Sequence, residues 1–277
     1  METFGVFSTL LAFLIAYTSY KGFRDESFFE DNLFWIGGIL HHHQYRRMLS
    51  SGFLHANWWH LGFNLVALVS FGESIELLFG YWQFGLLYFL SLIGGNLLAL
   101  AVHQDHTEYR AVGASGAISG VVLAYVILDP GGYISFFLLP LEIPAWIFGL
   151  AFILISILGI KAQEDNIGHE AHLGGALTGV IVYCLFEPEV AWTNWGIVVA
   201  ILVPTVLFLY WIYRFPEVLL LRSYWGPNFF SRGKVEVAEY TTEEELNTLL
   251  DKIKAQGIKS LSKRERARLQ ELSEKHR

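Results

Sequence analysis

Charged residues are scarce in this chain. Only 16% of its 277 residues are Asp, Glu, Lys or Arg, against roughly a quarter in an average soluble domain, which argues against an ordinary soluble enzyme. Cys184 is the single cysteine, so no intramolecular disulfide forms and a zinc site built on cysteines is excluded. With seven prolines and no Gly-x-y period, collagen-like and disordered classes are excluded as well. Basic residues are nearly missing from the first 213 positions, which hold 6 Lys/Arg against 16 Asp/Glu, while residues 214–277 hold 13 against 10. A weakly basic tail interleaved with acids is not the phosphate-matching patch that a nucleic-acid binder needs, so nucleic acid is set aside as a partner. What abounds is apolar, aromatic or small: 53% hydrophobic residues, nine Trp and 26 Gly. Membrane interfaces and close helix contacts use this mixture. The composition is that of a polytopic membrane protein.

A bilayer core needs about 20 apolar residues in helical form, because every backbone polar group must be satisfied internally across roughly 30 Å. Seven stretches meet or approach this, at about 4–20, 59–79, 82–102, 111–128, 142–160, 168–186 and 195–213. The first has no basic segment before it and no small-residue cleavage site after it, and reads as a retained helix rather than a signal peptide. The connection from Lys21 to Trp58 carries two acidic pairs and then an aromatic and Gly run, and is expected to be structured at the interface. Beyond residue 213 the pattern changes. Thr242 with Glu245 and Ser262 with Glu265 form capping boxes, and Gly257 is a stop between them. The organisation expected is a membrane domain over 1–213, a linker over 214–240 and a small extramembrane helical hairpin over 241–277. With seven spans, all nineteen Lys/Arg and all ten His fall on one side, counting His55, His60, His169 and His172 at the span ends they occupy.

Three polar groupings near that side could carry chemistry. His60 and Asn64 are four apart, about 40° around a helix, and share a stripe of the second span; this suits a cavity or, more simply, polar contact between helices. Gly113-Ala114-Ser115-Gly116 opens the fourth span, placing a hydroxyl beside unpaired first-turn N–H groups and the positive end of the helix dipole, which favour an oxyanion. Gly116 and Gly120 make a small-residue stripe one residue beyond that Ser. In the sixth span His172 is followed by Gly175 and Gly179 on about the same face. Packing the two stripes together would bring Ser115 and His172 within hydrogen-bond reach. Glu170 points about 160° away from His172 around the helix, so a Ser/His dyad is expected, with the ring held by packing; His169 is a lesser rival for the base.

These motifs, in this order and in these spans, resemble the rhomboid family of intramembrane serine proteases. The resemblance rests on His55, His60 and Asn64, on Gly-Ala-Ser-Gly at 113–116 and on Ala171-His172-x-x-Gly175, and covers residues 1–186. It implies an all-α membrane protein with a rhomboid-like six-helix core, here with a seventh transmembrane helix at about 195–213. It implies hydrolysis of peptide bonds in or next to transmembrane segments of protein substrates within a lipid bilayer, with no cofactor and no metal. By position Ser115 would be the nucleophile and His172 the base; His60, Asn64 and the Ser115 N–H would bind the oxyanion. His55 would link the start of the second span to the first loop, Glu76 and Gly80 would be a buried structural pair, and Arg47, Gly113, Gly116, Gly175 and Gly179 would shape the site. Two positions depart from the family pattern: Arg46 stands where an aromatic precedes Arg47, and Ser119 stands where some relatives stack an aromatic on the imidazole.

The resemblance also implies a site facing away from the cytosol, whereas the Lys/Arg distribution taken alone puts that side in the cytosol; the membrane expected is the plasma (inner) membrane of a bacterium. The fifth span and the loop from Lys161 to Gly168 are expected to gate the site. The rival functions are a catalytically inactive helix-binding relative and, from another class, a metal or redox protein using His41-His42-His43.

Overall fold

The computed structural model describes residues 5–136, 139–162 and 168–215, together with Leu250, Ile253, Lys254 and Leu269. The first half runs α1 (Val6–Arg24), α2 (Glu26–Asn32), β1 (Phe34–Trp35), α3 (Ile36–His42), α4 (Arg47–Ser50), α5 (Trp58–Phe79) and α6 (Tyr81–Val102). The second runs β2 (Arg110–Ala111), α7 (Ser115–Leu128), β3 (Tyr133–Phe136), β4 (Leu139–Pro144), α8 (Ala145–Ala162), α9 (His169–Phe186), α10 (Pro188–Thr193) and α11 (Trp195–Arg214). A helix lies on each of the seven apolar stretches, and the chain is an all-α, multi-pass membrane protein. α1, α5, α6 and α11 are each long and apolar enough to cross a bilayer. Their large exposed side chains, among them Phe13, Phe63, Trp82 and Tyr213, form the flank that lipid would cover. Two small antiparallel ribbons join the helices: Phe34 pairs with Ala111 and Trp35 with Arg110, and β3 pairs with β4 through Ile134 and Ile143. Their physical reason is that chain between helices must still pair its backbone groups.

The core is organised around α7, whose 14 residues cover only roughly 21 Å at 1.5 Å per residue. Every residue from Gly116 to Ala124 is buried, wrapped chiefly by α6 and α9. Glycine makes this possible. A Cβ on Gly175 would overlap the Gly116 carbonyl, one on Gly179 would overlap the Gly120 backbone, and one on Gly95 of α6 would lie 2.5 Å from the Ala171 carbonyl oxygen. The three helices therefore touch backbone to backbone, the arrangement small residues permit where lipid supplies no hydrophobic drive between helices.

Polar anchors fix the ends. Glu76 of α5, buried, accepts the Phe7 and Ser8 N–H groups, each at 2.7 Å, placing a carboxylate on the N-terminus of α1 where the dipole favours it. Gly80, at φ 80°, turns α5 directly into α6. The Lys21–Trp58 connection is ordered around buried Arg47, which donates to the Glu30 and Leu33 carbonyls at 2.7 and 2.8 Å and to Gln44 Oε1 at 2.5 Å. Although Arg46 replaces the family aromatic, a ring lies beside Arg47: that of Trp35, 5.6 Å from its guanidinium.

The chain divides into two compact units, Met1–Leu221 and Arg222–Arg277. Beyond Phe215 the expected linker and hairpin lie outside the described residues, except for Leu250, Ile253, Lys254 and Leu269, which are helical. Gly175→Ala is expected to lower thermal stability by about 1–3 kcal/mol through overpacking. Gly62→Ala, whose added Cβ meets nothing within 4 Å, is expected to leave the melting midpoint unchanged or raised; equal behaviour of the two variants would contradict the backbone contact.

Candidate active site

Ser115 is delivered to the head of α7 by an extended segment with few freedoms left. β2 is tied to β1, the Gly113 N–H donates to the Ser51 carbonyl at 3.1 Å, and the Ala114 N–H donates to His55 Nε2 at 3.4 Å. Gly113 has φ 136°, and a Cβ there would sit 2.8 Å from His60 Cε1. Both the backbone conformation and the space exclude other residues. Ser115 is half-buried, and its own N–H and the next two begin the helix without intrahelical acceptors.

His172 lies in the first turn of α9, and its Nε2 is 2.8 Å from Ser115 Oγ. The glycine stripes set this distance, since α7 and α9 meet at Gly116 and Gly175, one residue and three residues beyond the two groups. His169 does not reach Ser115: its buried ring packs on Gly159 of α8, where a Cβ would overlap it, and meets His172 edge-on at 5.9 Å. Glu170 faces elsewhere, as its helical position predicts. It accepts from Tyr109 in a short hydrogen bond and pairs with His103 Nε2 at 3.1 Å, while His103 stacks on Tyr109 at 3.7 Å. Burial first, then the Glu170 charge, pushes the Tyr109 hydroxyl far above its ordinary value. This network clamps the α6–α7 connection to the start of α9.

His60 and Asn64 share a face of α5, as their spacing requires. The Asn57 side chain caps α5 by accepting the His60 N–H at 2.9 Å. The His60 ring lies beside Gly113, with its Nε2 2.9 Å and Ser115 Oγ 3.6 Å from the point a Gly113 Cβ would occupy. Buried Asn64 donates one amide hydrogen to the His60 carbonyl at 2.8 Å, and the amide carries a second. His55 connects more than the first loop. Its Nε2 accepts from Ala114, so Nδ1 carries the hydrogen and donates to Ser19 Oγ of α1 at 2.9 Å; Ser19 donates on to the Phe53 carbonyl at 3.0 Å.

One residue at the site was not singled out from the sequence. Ser119, standing where some relatives carry an aromatic, bonds its hydroxyl back to the Ser115 carbonyl at 2.6 Å and offers the imidazole no ring. Instead Phe152 of α8 lies 6.0 Å from the His172 ring, 29° from parallel. The only signal was the aromatic pair Phe148 and Phe152, four apart on one face of an apolar helix. His41, His42 and His43 do not converge: His42 packs near Trp35, and His43 Nδ1 bonds to Tyr45 at 3.0 Å. In the expected gating loop, residues 163–167 lie outside the described residues.

The profile of the Rhomboid domain matches residues 42–189, and that of a family of unknown function matches residues 234–275. The chain is 34% identical over 137 residues to "Rhomboid protein 1, mitochondrial" of Saccharomyces cerevisiae, covering 48% of this chain and 40% of that protein. It is 33% identical over 156 residues to "RHOMBOID-like protein 2" of Arabidopsis thaliana, covering 56% and 47%. To "Presenilin-associated rhomboid-like protein, mitochondrial" of Mus musculus it is 32% identical over 149 residues, covering 53% and 39%. The matched part thus spans less than half the length of each of these relatives.

Burial, and secondarily His60 beside it, pulls the pKa of His55 from 6.5 to about 3. The unfolded chain takes up this proton near pH 6.5 and the folded chain only near 3, so the unfolded state binds more protons between those values. The contribution of His55 is whole above pH 6.5 and is lost on acidification at up to about 1.4 kcal/mol per pH unit. Melting midpoints recorded from pH 7 down to 4 should show this slope in the wild type and a shallower one in His55→Gln; identical slopes would refute the assignment.

Proposed function

The chain belongs to the rhomboid family, and on that premise we propose that it is a serine endopeptidase cleaving peptide bonds in or next to transmembrane segments of membrane proteins. The observation that carries the proposal is the 2.8 Å approach of Ser115 Oγ to His172 Nε2, with Ser115 at a helix N-terminus. In the proposed reaction His172 takes the hydroxyl proton as Oγ attacks the scissile carbonyl, then returns it to the leaving amine; water and the same imidazole resolve the acyl-enzyme. Charge developing on the carbonyl oxygen is met by the Ser115 N–H, by His60 Nε2 and by the second amide hydrogen of Asn64. Each acts from a position fixed before substrate arrives, which is what makes such donors effective.

Depth follows from length. A 14-residue α7 is shorter than the roughly 30 Å hydrocarbon core, which supports a hydroxyl lying below the membrane surface, in a recess that water must reach. A substrate must expose its peptide bond there, so transmembrane segments with weak helical propensity are the proposed preference. For the membrane itself, the proposal is the plasma (inner) membrane of a bacterium; the yeast and mouse relatives are named mitochondrial.

Purified protein incubated with a single-span substrate and, separately, with a fluorophosphonate probe tests the reading. Wild type should cleave and label, and Ser115→Ala and His172→Ala should lose both activities. His60→Ala or Asn64→Ala should lower kcat about 10²- to 10³-fold with the protein still folded. Labelling that persists in Ser115→Ala, or a wild type that neither cleaves nor labels, would leave a helix-binding protein without this chemistry.

A further inference from the structure

We propose that Phe152 is the positioning residue of the His172 imidazole, so that the base is held by α8, the helix beside its own, and is aligned only while α8 is packed against α9. The inference rests on the Ser/His reading above. An imidazole turns about an sp³–sp² bond whose torsional preference is broad, so a flat surface lying against the ring helps to set the direction of Nε2. From α7 no ring is available at the position one turn past Ser115, since Ser119 stands there with its hydroxyl bonded to the Ser115 carbonyl. Phe152 supplies a face instead: 6.0 Å between centroids and 29° between planes is an offset stack within the range aromatic pairs adopt.

A second contact fixes the register. Gly159 of α8 receives the ring of His169, and a side chain at 159 would overlap it. Positions 152 and 159 are seven apart and share one stripe of α8, while 169 and 172 are three apart and share one face of α9. Two imidazoles of α9 are thus seated on two sites of the same α8 stripe, one over a ring and one in a notch. His169 also meets His172 edge-on, at 77°. Sliding or tilting α8 would move the stack and the notch together. Imidazole alignment and the position of α8 therefore form one variable, and a substrate that displaces α8 would act on the base.

The test uses the full chain in liposomes with a single-span substrate. Phe152→Leu and Phe152→Met keep apolar volume without a flat ring. For both, kcat is expected to fall about tenfold to a hundredfold with KM within about twofold, the scale of a small misalignment of reacting groups. Phe152→Tyr should restore most of kcat, and Leu154→Ala, an exposed side chain of the same helix, should match wild type. Melting midpoints establish that each variant is folded, and the rate of fluorophosphonate labelling should fall in step with kcat. A folded Leu or Met variant with wild-type kcat, or one in which KM rises while kcat holds, would overturn the role of Phe152 and leave the protease reading standing. A wild type without Ser115-dependent labelling would remove both.

Discussion

Backbone contact between α7 and α9 is the constraint on which the remaining geometry depends. At Gly116 and Gly175, and again at Gly120 and Gly179, no side chain separates the two helices. Their backbones are in direct contact, and groups one residue N-terminal to the first glycine on one and three residues N-terminal on the other are brought face to face. A hydroxyl and an imidazole then meet at 2.8 Å. Lipid tails give helices no hydrophobic reason to associate, so close packing of small residues must supply both the attraction and the register. The glycines that look like weak points in a helix by propensity are here what makes the site possible.

Polar groups hold the ends of the bundle, each used more than once. His55 takes an N–H from the segment that delivers Ser115 and gives its own hydrogen to Ser19 of α1, so one buried neutral ring ties three parts of the chain. Arg47 gathers two carbonyls and Gln44 and lies over Trp35, converting a long connection into a docked structure. Glu76 performs the matching task at the start of α1. In a medium of low dielectric an unpaired group of this kind costs several kcal/mol, and their saturation explains why charged residues can be buried in so apolar a chain.

The surroundings of His172 show a division of labour. The carboxylate nearest in sequence, Glu170, serves the α6–α7 connection through His103 and Tyr109, and orients α9 as a whole. The ring itself is met by Phe152 and His169. Helix α7 contributes the hydroxyl, α9 the imidazole and α5 the flanking His60 and Asn64. α8 contributes flat apolar surface, the one contribution with no chemical signature of its own.

Much of this was legible from residue order alone. Apolar stretches located α1, α5, α6 and α11, where about twenty residues satisfy their backbone internally across a bilayer, and the shorter helices α7, α8 and α9 as well. Helical periodicity put His60 with Asn64, turned Glu170 away from His172 and matched the glycine stripes, because 3.6 residues per turn is a local rule. Contacts between elements far apart in the chain obey no such rule. That Trp35 serves Arg47, that His55 reaches α1, and that an aromatic 20 residues before His172 lies on its ring were decided by tertiary packing. Position within one helix dictates direction, whereas which side chain fills a gap between helices depends on where every neighbour has come to rest.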